Sequence, residues 1–388
     1  MKNNFSDKTL GIYVHIPFCV QKCKYCDFCS FASLGEELKT EYKNAIVTDI
    51  SRSAEHFKDH IVDSIFFGGG TPTCLSAEQL SEILKAVFDN YNVSNEAEIT
   101  LECNPATADK NYFDKLIKAG FNRLSMGAQS VHDVELAELG RIHSADEIKD
   151  TFADARAAGF GNINLDLMYG IPHQSPESFS KTLDAVISLS PEHISAYALK
   201  IEPGTEFYRN RDKLILPDED EEYAMYKLAD ERLPAAGYEH YEISNYAKNG
   251  KKSKHNLKYW SLDEYVGFGV AAHSLVGRTR YSVTDSIKKY VGHFKDVDTH
   301  LHYEIEERLS EKALEEEYLM MRLRLSDGLS PDEYEMRFGT SLDRKYIERI
   351  EPFIKSGHVI CSDGRYHFTA DGMYVSNYIL SEVLDLDE

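Results

Sequence analysis

No run of eighteen or more apolar residues occurs in this 388-residue sequence, which excludes a membrane-spanning helix. The N-terminal stretch MKNNFSDKTLGIYVHI has no apolar region ahead of a cleavage site, so the expected location is the cytoplasm. Basic residues are scarce: 43 Lys and Arg stand against 65 Asp and Glu, for a net charge of -22. That deficit excludes a phosphate-binding surface, and with it DNA and RNA as partners, because such surfaces displace counterions with Lys and Arg. Internal repeats and low-complexity segments are absent too. A chain of this length buries a full core, so small size gives no reason for disulfide staples.

Against these absences stand seven cysteines, four of them within Cys19–Cys29 in the stretch HIPFCVQKCKYCDFCSF. Cytosolic thiols stay reduced, so a tight cluster points to a metal site before a disulfide framework.

Short β-branched and aromatic runs alternate with helical patterns, as in βα units of a parallel sheet. The strand candidates are IYVHI, DSIFF, EITLE, RLSM, INLDLMY and ISAYALK. Between them Leu80, Ile83, Leu84, Val87 and Phe88 recur at helical spacing, and ADEIKDTFADARAAG ends on Gly159, where a helix C-cap would sit. Six units by about residue 200 predict a barrel-like sheet, complete or partial, although a doubly wound sheet has the same alternation. Residues 216–236 read as an acidic helix, YEHYEISNYA as a strand and VGFGVAAHSLVG as a tight Gly-rich turn. From about residue 308 the order is helix, SDGLSPDEY turn, helix, GHVICSDGRYHFT hairpin and last helix. This order suits a small winged-helix-like α+β domain. Its Glu311, Glu315, Glu316 and Glu317 disfavour DNA and favour a docking or lid role. The expected division is 1–245 for the barrel, 246–307 for a connecting region and 308–388 for the C-terminal domain.

Cys19, Cys23 and Cys26 form C-x3-C-x2-C directly after the first strand, where loops of a parallel barrel carry reactive groups. Three thiolates can hold three irons of a [4Fe–4S] cluster and leave the fourth open. Structural zinc and a plain electron-transfer cluster are the competing readings. Zinc usually draws Cys pairs from separated turns, and the ferredoxin pattern ends in Cys-Pro where this chain has Cys29-Ser30. The other strand ends carry Gly68–Thr73, Glu102, Gly127 with Gln129, and Asp166, all aimed at one mouth, with Arg141 nearby.

YVHIPFC, FFGGGTPT, LECNP, SMGAQS and LDLMYGIP, in this order, resemble the radical S-adenosylmethionine (SAM) proteins related to oxygen-independent coproporphyrinogen III oxidase. The resemblance runs from about Gly11 to the C-terminal domain. It implies a partial (β/α)6 TIM-like barrel with a winged-helix-like C-terminal domain, and a [4Fe–4S] cluster whose open iron binds SAM and cleaves it to a 5′-deoxyadenosyl radical. By matching motif, Cys19, Cys23 and Cys26 would hold the cluster, and Tyr25 would sit beside it. Tyr13, Gly69, Gly70, Thr71, Glu102, Gln129, Arg141 and Asp166 would line the SAM site.

Two branches share these motifs. The oxidase reads C-x3-C-x2-C-x-C after a longer leading segment, whereas this chain has Phe28 at the extra Cys position and eighteen residues before Cys19. The oxidase also has an apolar residue in a Gly-rich turn where GFGVAAHS carries His273. HNLKYW, His255 to Trp260, fits the HNxxYW pattern of the haem-chaperone branch. Such a residue is more commonly a surface or hydrogen-bonded His than a metal ligand. The resemblance makes His255 a haem contact, with His273 next in line, and no Cys-Pro haem signal occurs. The implied function is delivery of haem to client apoproteins, with an electron donor serving the cluster. The runner-up is oxidative decarboxylation of coproporphyrinogen III, and the third reading is electron transfer alone. Cys29 is either a spare thiol beside the cluster or a link to a second subunit.

Overall fold

The computed structural model describes residues 8–295 and 303–384. The first seven residues of the N-terminal stretch read above, and the last four of the C-terminal part, lie outside the described residues.

Six parallel strands lie side by side in chain order: β1 (Lys8–Ile16), β2 (His60–Gly69), β3 (Val93–Cys103), β4 (Arg123–Gln129), β5 (Ile163–Tyr169) and β6 (His193–Ala198). Helices α1 (Glu36–Ser53), α2 (Ala77–Asn90), α3 (Lys110–Ala119), α4 (Asp133–Leu139), α5 (Ala145–Ala158) and α6 (Pro176–Leu189) make the crossovers. A doubly wound sheet reverses its strand order partway. These six strands never do, so right-handed crossovers put their helices on one face and curl the sheet as an open, partial barrel. The alternation of side chains follows. Ile65, Phe67, Ile99, Leu101, Leu124, Met126 and Leu165 are buried at the strand positions that alternate with Ser64, Thr100, Ser125 and Asn164, which are buried as well.

Ser76 and Ser144 open α2 and α5 with reciprocal capping boxes to Gln79 and Glu147, and Gly159 closes α5 at φ 113°. Of the residues read as the apolar stripe of α2, Leu80, Ile83, Leu84 and Val87 are fully buried, but Phe88 is 43 % exposed. Phe88 lies at the rim of the buried face, its ring beside Gly120.

Both sheet edges continue. Beyond β6 come two short antiparallel strands, β7 (Glu239–His240) and β8 (Asn245–Ala247), in place of the single strand read from YEHYEISNYA. The chain turns between them, with the Tyr241 amide donating to the Asn245 carbonyl at 3.1 Å. Beyond β1 come β9 (Tyr265–Phe268), which is parallel to it, and antiparallel β10 (His273–Val276), β11 (Thr279–Val283) and β12 (Tyr303–Arg308). The Gly-rich stretch is therefore a hairpin whose two arms are strands. A Cβ on Gly267 would lie 2.4 Å from the His273 carbonyl oxygen, which is why the arms close only with glycine there.

The C-terminal domain has its own core, including Leu319, Leu323, Tyr334, Ile350, Val359 and Leu380. Helices Glu311–Leu323, Pro331–Phe338 and Arg344–Lys355 precede a hairpin of β13 (Val359–Ser362) and β14 (Arg365–Phe368). Leu329 bridges to Tyr366 as a third strand position, completing the winged-helix order. Two short helices, Ala370–Tyr374 and Ser376–Val383, end the described chain in place of a single last helix. No helix among the described residues is long and apolar enough to cross a membrane.

Candidate functional site

The loop after β1 is pinned to the turn after β2 by backbone bonds. The Gly70 amide donates to the Ile16 carbonyl at 2.8 Å and the Thr71 amide to the Phe18 carbonyl at 2.7 Å. A Cβ at residue 70 would come 2.7 Å from the Phe18 carbonyl oxygen, so only glycine lets the two segments meet. Phe18–Cys19 pairs with Phe31–Ala32, and the Phe31 amide donates to the Pro17 carbonyl at 2.7 Å, closing the loop at its base. The cysteines are thus carried on an arch anchored at both ends.

A chain of side-chain contacts links two of the thiols. Thr71 Oγ1 lies 3.6 Å from Cys19 Sγ and accepts from Asn104 Nδ2 at 2.8 Å. Arg141 Nη2 donates to Asn104 Oδ1 and to the Gly127 carbonyl, both at 2.6 Å, while Nη1 reaches Cys23 Sγ at 3.5 Å. Asn104 was not singled out from the sequence as a site residue. Its place two positions after Glu102, at the end of β3, was the available signal.

The remaining polar groups come from the other strand ends. Glu102 Oε2 accepts from the Gly69 amide at 3.2 Å. Burial, reinforced by the neighbouring Asp166 charge, pushes its pKa up to about 8. Asp166 accepts from Asn164 Nδ2 at 2.8 Å and Ser125 Oγ at 3.2 Å, and burial raises its pKa against these bonds. Burial likewise raises the Cys19 thiol and lifts Cys26 to about 11. These two thiols are therefore neutral near pH 7 and become strong ligands only when a cation displaces their protons. A cationic partner would also return Glu102 to its charged form. Among the described residues no three His, Cys, Asp or Glu side chains converge on a point that would hold a single ion. The thiols of one arch, set apart but facing one cavity, are the donor set that a multi-iron cluster takes, with one thiolate per iron.

Cys19, Cys23, Cys26, Tyr25, Gly69, Gly70, Thr71, Glu102, Gln129, Arg141 and Asp166 all line one cavity of about 1450 Å³. A drug-sized ligand takes roughly 300–1,000 Å³, so the space exceeds one nucleoside. It runs on to Tyr197, Tyr226, Trp260, Arg324, Met373 and Tyr374, so that the C-terminal domain forms its far wall. That wall is fixed to the barrel by Tyr226 Oη donating to the Ala370 carbonyl at 2.7 Å and by Tyr223 Oη donating to Asp371 Oδ1 at 2.9 Å.

Three expected residues lie elsewhere. Tyr13 is not on the cavity wall; its Oη is 3.0 Å from His15 Nδ1, and its ring stacks on Phe66. It supports the arch from beneath. His255, read from the sequence as a haem contact, is 1 % exposed. Its Nδ1 lies 3.0 Å from Ser64 Oγ and its Nε2 2.8 Å from Tyr259 Oη, with the ring stacked on Phe66. Burial, then the Lys258 charge, lowers its pKa to about 3. This is a satisfied interior histidine with no nitrogen free for a porphyrin iron; of its motif, Trp260 is the residue on the cavity wall. His273 lies on β10, exposed and 3.1 Å from Glu306 Oε2.

Comparisons with known proteins agree with this architecture. Residues 13–186 match the family described as "Radical SAM superfamily", and residues 309–375 match the "HemN C-terminal domain". The chain is 34 % identical over 380 residues to the "Heme chaperone HemW" of Bacillus subtilis, covering 96 % of this chain and 98 % of that protein. It is 37 % identical over 381 residues to the protein of the same name from Haemophilus influenzae, covering 96 % and 97 %. Among solved structures, the coproporphyrinogen III oxidase of Escherichia coli, described as a radical SAM enzyme, superposes with a TM-score of 0.84 at 24 % identity, over 98 % of this chain and 91 % of that one.

Proposed function

The chain belongs to the HemW family of haem chaperones within the radical SAM superfamily, and from that premise we propose that it binds haem and delivers it to client apoproteins in the cytoplasm. The observation that carries the reading is the single cavity that the cysteine arch, the strand-end carboxylates and Trp260 all line. Its volume admits a macrocycle beside a nucleoside.

The family's cofactors are a [4Fe–4S] cluster and SAM, and the residues present fit both. Cys19, Cys23 and Cys26 would supply three thiolates to the cluster, two of them held by Thr71 and Arg141, and Cys29 would stay outside the ligand set. Glu102 and Asp166 are placed for the positive end of SAM, and Arg141, Gln129 and the Gly69–Thr71 backbone for its polar remainder. Bound together, cluster and SAM supply one-electron chemistry at a sulfonium, fed by an electron donor of the cell. Tyr25 and Met168 pack beside the arch with Ile171 and Phe207 and keep water from it. We keep the division 1–245, 246–307 and 308–388 as functional parts, the middle one adding β9 to β12 to the barrel sheet and the last forming the cavity's far wall.

The test is a titration of the cluster-loaded protein with haem. A Soret shift saturating at one equivalent, followed by transfer to a haem-free client faster than loss to solvent, supports the function. Failure of saturable binding refutes it.

A further inference from the structure

Arg324 caps the helix Glu311–Leu323 and lines the far wall of the cavity. Its Nη2 donates to Asn377 Oδ1 at 2.7 Å, but its Nε is buried with no acceptor. Among the described residues no carboxylate lies within ion-pair distance of it. Burial without a neighbouring anion holds its pKa below the usual arginine range. Other arginines of this domain do have carboxylates: Arg322 and Arg365 share Glu333, and Arg337 reaches Asp263. In a chain with 65 acidic and 43 basic residues, a half-buried guanidinium left without a carboxylate is an uncompensated cost. A ligand anion would remove that cost.

The surrounding charges narrow the ligand's placement. Glu202, Glu219, Asp220, Glu222 and Asp371 line the same cavity and repel an anion. Lys200, beyond the end of β6, lines it as well and has no carboxylate partner among the described residues. A carboxylate entering here is therefore steered to Arg324, whose guanidinium fork suits a planar oxyanion. The large, amphipathic rings of Tyr197, Trp260 and Tyr374, which line the same cavity, suit the apolar body that such a ligand would carry.

We propose that Arg324 anchors a propionate carboxylate of haem, so that the macrocycle occupies the far half of the cavity against the C-terminal domain. This rests on the haem-handling function proposed above. The experiment titrates the full-length, cluster-loaded protein with haem and with haem dimethyl ester, in the wild type, R324Q and R324K. The wild type should prefer the free acid by about tenfold to a hundredfold, the range of a charge-assisted hydrogen bond. R324Q should bind haem about as weakly as the ester and leave ester affinity unchanged, and R324K should recover part of the preference. Wild-type haem affinity and discrimination in R324Q would overturn the assignment. Equal weakening of haem and ester would also overturn it, because Arg324 would then act on structure alone. Absence of saturable haem binding by the wild type is a different result, and it removes the functional reading itself.

Discussion

His15 donates through Nε2 to the backbone carbonyl of Cys29 at 2.8 Å. Burial lowers the His15 pKa to about 4, so the ring is neutral, and Tyr13 holds its other nitrogen at 3.0 Å. Cys29 is thus fixed by its backbone, while its Sγ lies 3.7 Å from the Asp285 carbonyl and is not on the cavity wall. Cys29→Ser should therefore keep about four irons per chain after anaerobic purification, and Cys19→Ala, Cys23→Ala and Cys26→Ala should each lose them. Iron analysis decides, and loss of iron from Cys29→Ser alone would place the ligand set wrongly.

Glu102 and Asp166 face the cavity without touching the thiols. SAM added to the reduced protein should change the cluster's EPR spectrum, and Glu102→Ala or Asp166→Ala should weaken that change about tenfold in SAM concentration without removing iron. A spectrum indifferent to SAM in the wild type would contradict the assignment of the site.

The strands that carry these groups were legible because parallel strands buried on both faces read as short apolar runs, and INLDLMY is β5 residue for residue. Their sequential order was not legible, since a doubly wound sheet has the same alternation. Short strands were missed where pairing, not composition, defines them: YVGF and HSLV become strands only because β9 finds the free edge of β1. Asn104 escaped because an amide has no charge to draw notice, although it bridges Thr71 and Arg141. Burial also could not be read locally. HNLKYW places His255 inward toward Ser64, a partner 191 residues away in sequence.

Glu102 also sets a pH dependence. Its folded pKa of about 8 lies above the usual value, so the native state holds a proton that the unfolded state has lost, and stability falls as pH rises between the two values. Asp49 and Glu242, raised to about 6 by burial, act in the same direction at lower pH. The buried histidines His15, His143, His193 and His255, whose pKa burial lowers, act in the opposite direction, because their unfolded forms lose protons around pH 6.5. From pH 6.5 to 8 Glu102 alone should thus cost the cluster-free protein about 2 kcal/mol, and Glu102→Gln should remove that share, which appears as the difference between the two proteins because the histidines are the same in both. Urea unfolding at several pH values measures it, and equal slopes for both proteins would refute the assignment.

Phe28 stands at the position of the oxidase's extra cysteine and is 64 % exposed on the rim of the arch. No thiol is available there. Cluster-loaded protein given SAM, reductant and coproporphyrinogen III should give no protoporphyrinogen IX above a no-enzyme control. Multiple turnovers would establish the oxidase activity instead.

His255 separates an interior role from a ligand role. Its ring joins Ser64 of β2 to Tyr259 on its own helix, Lys254–Ser261, which also carries Trp260 to the cavity. Removing it leaves a hole against Phe66 and strips a partner from each of two hydroxyls, so His255→Ala should cost about 3 kcal/mol in unfolding free energy. Trp260→Ala removes only cavity surface and should cost far less stability while weakening haem binding about tenfold. The two variants should therefore separate in a paired measurement of urea midpoint and haem titration. In His255→Ala protein that remains folded, the Soret position should match the wild type, because the ring is no axial ligand. A stable His255→Ala protein with a shifted Soret band would show instead that the helix turns this histidine outward to the iron.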